Sequence, residues 1–129
     1  MPKIVMASGP VIIRDNHALL NQHGEDQFWK FCGGKVEDYE LNLIETARKE
    51  FREEMGAEFD LLDPRPFIYH TEVGPKDVIL VHYLAGLVGE IKPGADIRRW
   101  DWFDLDILGR INLAPNIIPA LTHFKFLKK

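Results

Sequence analysis

Cysteine is nearly missing from this chain of 129 residues, with Cys32 alone. One sulfur cannot close an internal disulfide or build a zinc site by itself, so the chain fits a reducing compartment. Long apolar runs are missing too: no stretch approaches the ~20 apolar residues of a membrane span. The start, MPKIVMASGPVII, sets Pro2 and Pro10 around a short apolar run instead of the basic start, long apolar core and cleavage site of a secretion signal. Positive charge is not in excess. A net charge of -4 and a pI near 5.7 give no reason to expect a nucleic-acid polymer or a membrane surface as partner. Internal repeats, linkers and low-complexity segments are absent from the sequence. What remains, 46% hydrophobic and 11% aromatic, is enough for a real core. We expect one cytoplasmic, soluble domain over residues 1–129.

The first third alternates short β-like runs, KIVMA, PVIIRD, HALLNQ and FWKFC, with turn signals at Ser8-Gly9, Asp15-Asn16 and around Gly24. Residues 42–55, NLIETARKEFREEM, change to a helical period, with Ile44, Ala47, Phe51 and Met55 forming one apolar stripe. Asn42, followed three residues later by Glu45, is an N-cap with its reciprocal partner, and Gly56 suits the left-handed C-terminal position. FDLLD, RPFIYHTEV, DVILVHYLAGLV and RRWDWFDL then read as strands. DVILVHYLAGLV is apolar at nearly every position and is placed centrally, buried on both faces. The segment APNIIPALTHFKFLKK predicts a last helix with Asn116 as cap, Leu121, Phe124 and Leu127 or Phe126 inward, and Lys125, Lys128 and Lys129 at its negative end. This order of elements suggests an α+β or α/β/α sandwich around a mixed sheet.

The stretch KEFREEMG crowds three carboxylates at the end of the central helix. At 100° per residue Glu50 and Glu54 share one shoulder of the apolar stripe, and Glu53 lies farther out on that side. Carboxylates four apart repel by about 2–3 kcal/mol before screening at a surface-like dielectric of ~20. Lys49 reaches Glu53, and Glu45 can pair with Lys49 or Arg48, but these bases belong to the outer face, away from Glu50 and Glu54. A solvated, charge-laced helix face is the plain reading. The glycine-rich CGGKVEDYE just before the helix supports another, since hard divalent cations take oxygen ligands and bridge carboxylates to phosphates.

GGKVEDYELNLIETARKEFREEMGAEF, residues 33–59, resembles the Nudix box: Gly, five residues, Glu, seven residues, Arg-Glu, apolar, any, Glu-Glu, any, Gly, apolar. Gly34 is followed after five residues by Glu40, and Glu50, Phe51, Glu53, Glu54, Gly56 and Ala57 fill the later places in order. Lys49 stands at the usual arginine, eight residues instead of seven separate it from Glu40, and Tyr39-Glu40 replaces the usual Gly-Glu, which leaves Glu37 and Glu40 as alternative partners for Lys49. VIIRDNHALLNQH, WKFCGG and WDWFDLDIL extend the resemblance over nearly the whole chain.

The resemblance implies an α/β/α sandwich that hydrolyses nucleoside diphosphates linked to another group, with Mg2+ or Mn2+. It implies Glu50 and Glu54 as main metal ligands and Glu53 as a further ligand or the group orienting water, with the general base left open among members. Asp96 stands where some relatives carry an additional acid; it is either that group or a turn aspartate after Pro93-Gly94. Gly33 and Gly34 turn the backbone, and Lys35 is a phosphate contact or a solvated lysine. His23 takes the place of a phosphate-contacting arginine, or is a surface histidine. LAPNIIPAL resembles the segment of relatives that cleanse oxidised nucleoside triphosphates, which implies that Asn116 hydrogen-bonds the base; it is equally a helix cap. Phe28, Trp29, Tyr69 and Trp100 are stacking candidates or core. His70 and His82 are read as sheet residues, and Cys32 as a buried filler. A nucleoside triphosphate cut to monophosphate and pyrophosphate is the first expectation. An ADP-ribose, nucleotide-sugar or dinucleoside polyphosphate substrate is the second, and a nucleotide-binding module without turnover is a different class. Either a monomer or a homodimer fits.

Overall fold

Asp15 and Asn16, both at positive φ, close a two-residue turn in the computed structural model, which describes residues 3–37 and 41–127. The turn joins β1 (Lys3–Arg14) to β2 (His17–His23). After β3 (Gly34–Lys35) and α1 (Leu43–Met55) come β4 (Glu58–Leu61), β5 (Phe67–Val73), β6 (Lys76–Val88) and β7 (Ile97–Asp104). A short 3-10 helix (Leu105–Arg110) and α2 (Ile117–His123) follow. The sheet order is β4–β6–β1–β2–β7, with β3 beside β1 and β5 beside β6. β1 and β6 run parallel and the remaining pairs antiparallel, so the sheet is mixed, as expected.

The period of two along each strand sorts apolar side chains into two cores. Ile12 and Leu19 face α1, where they meet Ala47, Phe51, Met55 and Phe59. Val11, Ala18 and Leu20 face the other way and meet Leu105, Leu108, Ile117 and Leu121. The sheet is thus covered by helix on both faces, the expected α/β/α sandwich. Helix α1 begins where Asn42 Oδ1 accepts the Glu45 N–H at 2.8 Å and ends at Gly56, φ 63°. Its expected stripe is buried at Ala47, Phe51 and Met55 and half-buried at Ile44. Strand β6 is flanked on both sides and is buried at Val81, His82, Tyr83 and Ala85, with its ends half-buried or exposed.

Three expectations are corrected. Ser8-Gly9 is no turn, because β1 runs through it unbroken: the carbonyl of Cys32 lies where a side chain at residue 9 would begin, so glycine is required by contact instead of bending. Pro10 is tolerated because β3 pairs only at Ala7 and Ser8 and β2 only at Ile13 and Arg14, leaving a gap in the ladder on that side of β1. FWKFC is not a strand. It is held by isolated bridges, Asn21 to Lys30 and Trp29 to Leu113. The last helix stops at His123, and Lys125 sits beyond it at φ 69°. Phe124 and Leu127 pack on the core and Phe126 is exposed, while Lys128 and Lys129 lie outside the described residues. Among the described residues no helix is long and apolar enough to cross a membrane.

Candidate active site

The Gly33-Gly34 segment lies against the C-terminal half of α1. Glu54 is the carboxylate that joins the two: its Oε1 accepts the Gly33 N–H at 2.9 Å, and its side chain is only 8% exposed. On the other side, His23 Nε2 approaches Glu54 Oε2 at 2.7 Å, off the direction of a well-aligned hydrogen bond. Glu50 is 17% exposed and Glu53 57%, so the helical geometry expected from spacing holds: two acids at the edge of the core and one farther out. Gly34 makes the approach possible, since a Cβ there would overlap the carboxylate of Glu50.

Residues 92–96 close the far side. The Lys92 N–H donates to Met55 O at 2.6 Å and the Gly94 N–H to Glu54 O at 2.8 Å, which satisfies carbonyls that the end of α1 leaves open. The Asp96 carbonyl in turn accepts the Gly24 N–H at 3.3 Å. The result is one cavity of about 410 Å3 lined by Glu50, Glu53, Glu54, His23, Gly33, Gly34, Lys35 and Asp96, together with Lys30. Eight of the nine candidate residues therefore meet. The ninth, Asn116, lies in an adjoining apolar cavity that shares Ala7, Lys30 and Gly33 with the first. Asn116 occupies the N-cap place of α2 but makes no side-chain cap bond, so capping does not account for it.

Some local expectations change. Lys49 reaches both Glu53, at 3.3 Å, and Glu50, at 3.9 Å, so it is not confined to the outer face. Glu40 lies outside the described residues, and Glu37 exerts the weakest of the attractions on Lys49. Arg48 turns to the Phe59 carbonyl, at 2.6 Å, and lies over the Phe59 ring. His23 is half-buried against Glu54 and is not a surface histidine. Cys32 is buried filler, its thiol pushed up by burial and then by Glu54. Of the four stacking candidates only Phe28 lines the apolar cavity; Trp29 packs on Phe103, Trp100 on the α1 core, and Tyr69 lies near Phe67. Lys30 was not anticipated. Its position three residues before Gly33 in WKFCGG is the only signal that it would stand where the two cavities join.

Burial, followed by the negative charge of Glu53, raises the pKa of Glu50, with Lys49 opposing and Glu54 adding to the rise. A carboxyl whose folded pKa exceeds its unfolded value costs stability above that pKa, and the cost disappears as pH falls through it. Glu50→Gln should therefore stabilise the metal-free protein near neutral pH and leave it unchanged in acid. The gain is at most about 1 kcal/mol because water reaches the group and screens it. Thermal melts in EDTA at the two pH values read it; a destabilised variant at neutral pH would contradict the electrostatic account.

The same strain describes what the site can hold. Hard oxygen donors, a half-buried acid that resists ionisation and the space left by Gly34 fit a divalent cation such as Mg2+. Among the described residues no three acidic, histidine or cysteine side chains are gathered as a preformed metal cage.

Comparison with known proteins gives the same direction. The profile of the NUDIX domain matches residues 5–124. The fold is similar to that of a MutT NUDIX hydrolase from Burkholderia pseudomallei, at 25% identity and TM-score 0.77, over 93% of this chain and 97% of that one. It is similar to an Ap4A hydrolase from C. elegans, at 21% identity and TM-score 0.81, over 94% and 95%. It is also similar to the E. coli ORF135 protein, at 23% identity and TM-score 0.78, over 95% and 89%. Comparison with curated protein sequences finds no match. With a family match over nearly its whole length, the chain belongs to the NUDIX family and is a hydrolase of phosphoric anhydride bonds.

Proposed function

We propose that this hydrolase acts with Mg2+ or Mn2+ on a nucleoside triphosphate, oxidised purine deoxynucleotides included, releasing nucleoside monophosphate and pyrophosphate. The observation that carries the proposal is the adjacency of two cavities: an acid-lined one at the end of α1 lies beside an apolar one lined by Asn116, with Ala7, Lys30 and Gly33 lining both. A triphosphate needs a charged, metal-holding site for its anhydride and an apolar site for its base, and the two lie side by side.

Glu50 and Glu54 are the metal-holding acids in this reading, with Glu53 a further ligand or the group that orients water. A bound divalent cation neutralises diphosphate charge and lowers the pKa of water. The chain's residues do the rest. The Gly33 N–H holds Glu54 in one orientation, and Lys49 holds Glu53 and Glu50. Lys35 and Lys30 present positive charge to phosphate oxygens, and His23 braces Glu54 where relatives place a phosphate contact. Water attacks phosphorus, a bridging P–O bond breaks, and the water's proton passes to Glu53 or Asp96 while pyrophosphate leaves. Asn116, whose amide has one acceptor and two donors, faces the base.

The test is product analysis across canonical and oxidised nucleoside triphosphates, ADP-ribose, nucleotide sugars and dinucleoside polyphosphates, with and without metal. Metal-dependent monophosphate, and phosphate that appears only when pyrophosphatase is added, is the expected result for a triphosphate. A clear preference for ADP-ribose or a dinucleoside polyphosphate moves the substrate assignment. Metal and nucleotide binding without turnover of any compound sinks the catalytic reading in favour of a binding module.

A further inference from the structure

The apolar cavity holds a polar group that the fold leaves unsatisfied. Its volume is about 430 Å3, and its walls include Phe28, Phe31, Val78, Leu80 and Pro115. A ligand pocket of this kind fixes orientation through a few polar groups set in apolar walls. Two such groups are here. Asn116 is 2% exposed and free of a cap bond, and His82, on β6, is 5% exposed with its ring against Phe31. His82 Nδ1 is sealed from solvent and has no hydrogen-bond partner. Burial lowers the imidazole to about 4, against a weaker opposing hydrogen bond that the ring donates to the Cys32 backbone, so the ring is neutral at physiological pH and its remaining nitrogen, Nδ1, is an acceptor.

A buried imidazole without a full set of partners is unfavourable in the free protein. Leucine at this place in a strand of Val, Ile and Leu would remove the unpartnered nitrogen, together with the bond to the Cys32 backbone. No part of the proposed hydrolytic machinery uses His82, which stands away from the acidic cavity. We infer that His82 determines base specificity: with a small turn of the ring that brings Nδ1 to the cavity it lines, its imidazole hydrogen-bonds the edge of a heteroaromatic base seated between Phe28, Phe31 and Asn116. The inference rests on the nucleotide reading above and deepens it, because a purely apolar pocket discriminates shape but cannot reject a base of the right shape and the wrong polar edge.

Calorimetry with product-like ligands in EDTA tests this without turnover. The probes are a purine nucleoside monophosphate and the indole riboside monophosphate, which has a similar outline but lacks the base's polar edge. The wild type should prefer the purine by about ten- to a hundredfold. His82→Leu should bring the two within about threefold, while His82→Gln, which retains a donor and an acceptor, should restore part of the preference. A cooperative melting curve establishes that the leucine variant is folded. An undiminished preference in His82→Leu, or no purine binding by the wild type, overturns the inference. Turnover of the nucleotide panel with equal binding of the two probes would remove this inference and leave the hydrolase assignment standing. Discriminating binding with no metal-dependent turnover would do the reverse.

Discussion

A Glu53→Gln, Glu54→Gln double variant should lose metal-dependent turnover by at least about 10²–10³-fold in kcat and remain folded. The expectation of a sound fold comes from the contacts. A glutamine at position 54 still has an oxygen to accept the Gly33 N–H, so the loop stays fastened to α1. At position 53 the loss is an exposed pairing with Lys49, and exposed ion pairs contribute about 0–1 kcal/mol. What disappears is negative charge at two places facing the same cavity. A melting curve and a metal titration should accompany the kinetics. Retained turnover would show that these acids are not part of the chemistry, whereas a collapsed melting temperature would mean that the variant reports structure only.

Gly34→Ala should be nearly as damaging, about a hundredfold in kcat/KM, although it adds a single methyl group and removes no polar side chain. The new Cβ overlaps the end of the Glu50 side chain. That end is flexible, so the protein yields by swinging the carboxylate aside instead of unfolding. An acid moved by about an ångström no longer meets the cation and the phosphate in register. The signature is a weakened metal titration with little change in melting temperature. Full activity in Gly34→Ala would indicate that the position of Glu50 is not set by this loop.

The helix and its acids were legible because their determinants are local. Spacing along α1 alone places Phe51 and Met55 in the core, Glu50 and Glu54 beside it and Glu53 outside, and the side chain of Asn42 and the φ of Gly56 are within a turn of what they cap. The misread positions all depend on residues distant in sequence. Gly9 signals a turn unless one knows that the Cys32 carbonyl needs its space. FWKFC has the composition of a strand, but the neighbours it meets, Asn21 and Leu113, offer single bridges and no ladder. Lys49 was placed by its own helix face, while its long side chain reaches around to Glu50. Lys30 has no local signature beyond its place before Gly33, and His82 has none: one acquires meaning from lining two neighbouring cavities, the other from an Nδ1 enclosed without a partner.

The hydrogen bonds from Lys92 and Gly94 to the last carbonyls of α1 make residues 92–96 part of the helix's termination. Asp96 is therefore placed two residues from a backbone bond to the helix that carries Glu50, Glu53 and Glu54. The backbone of 92–96 and the end of α1 are thus fastened together, and both contribute to the lining of the acidic cavity. The length of this loop and the length of α1 are accordingly a single variable: an inserted or deleted residue in 92–96 shifts the fourth acid and exposes the helix end at the same time.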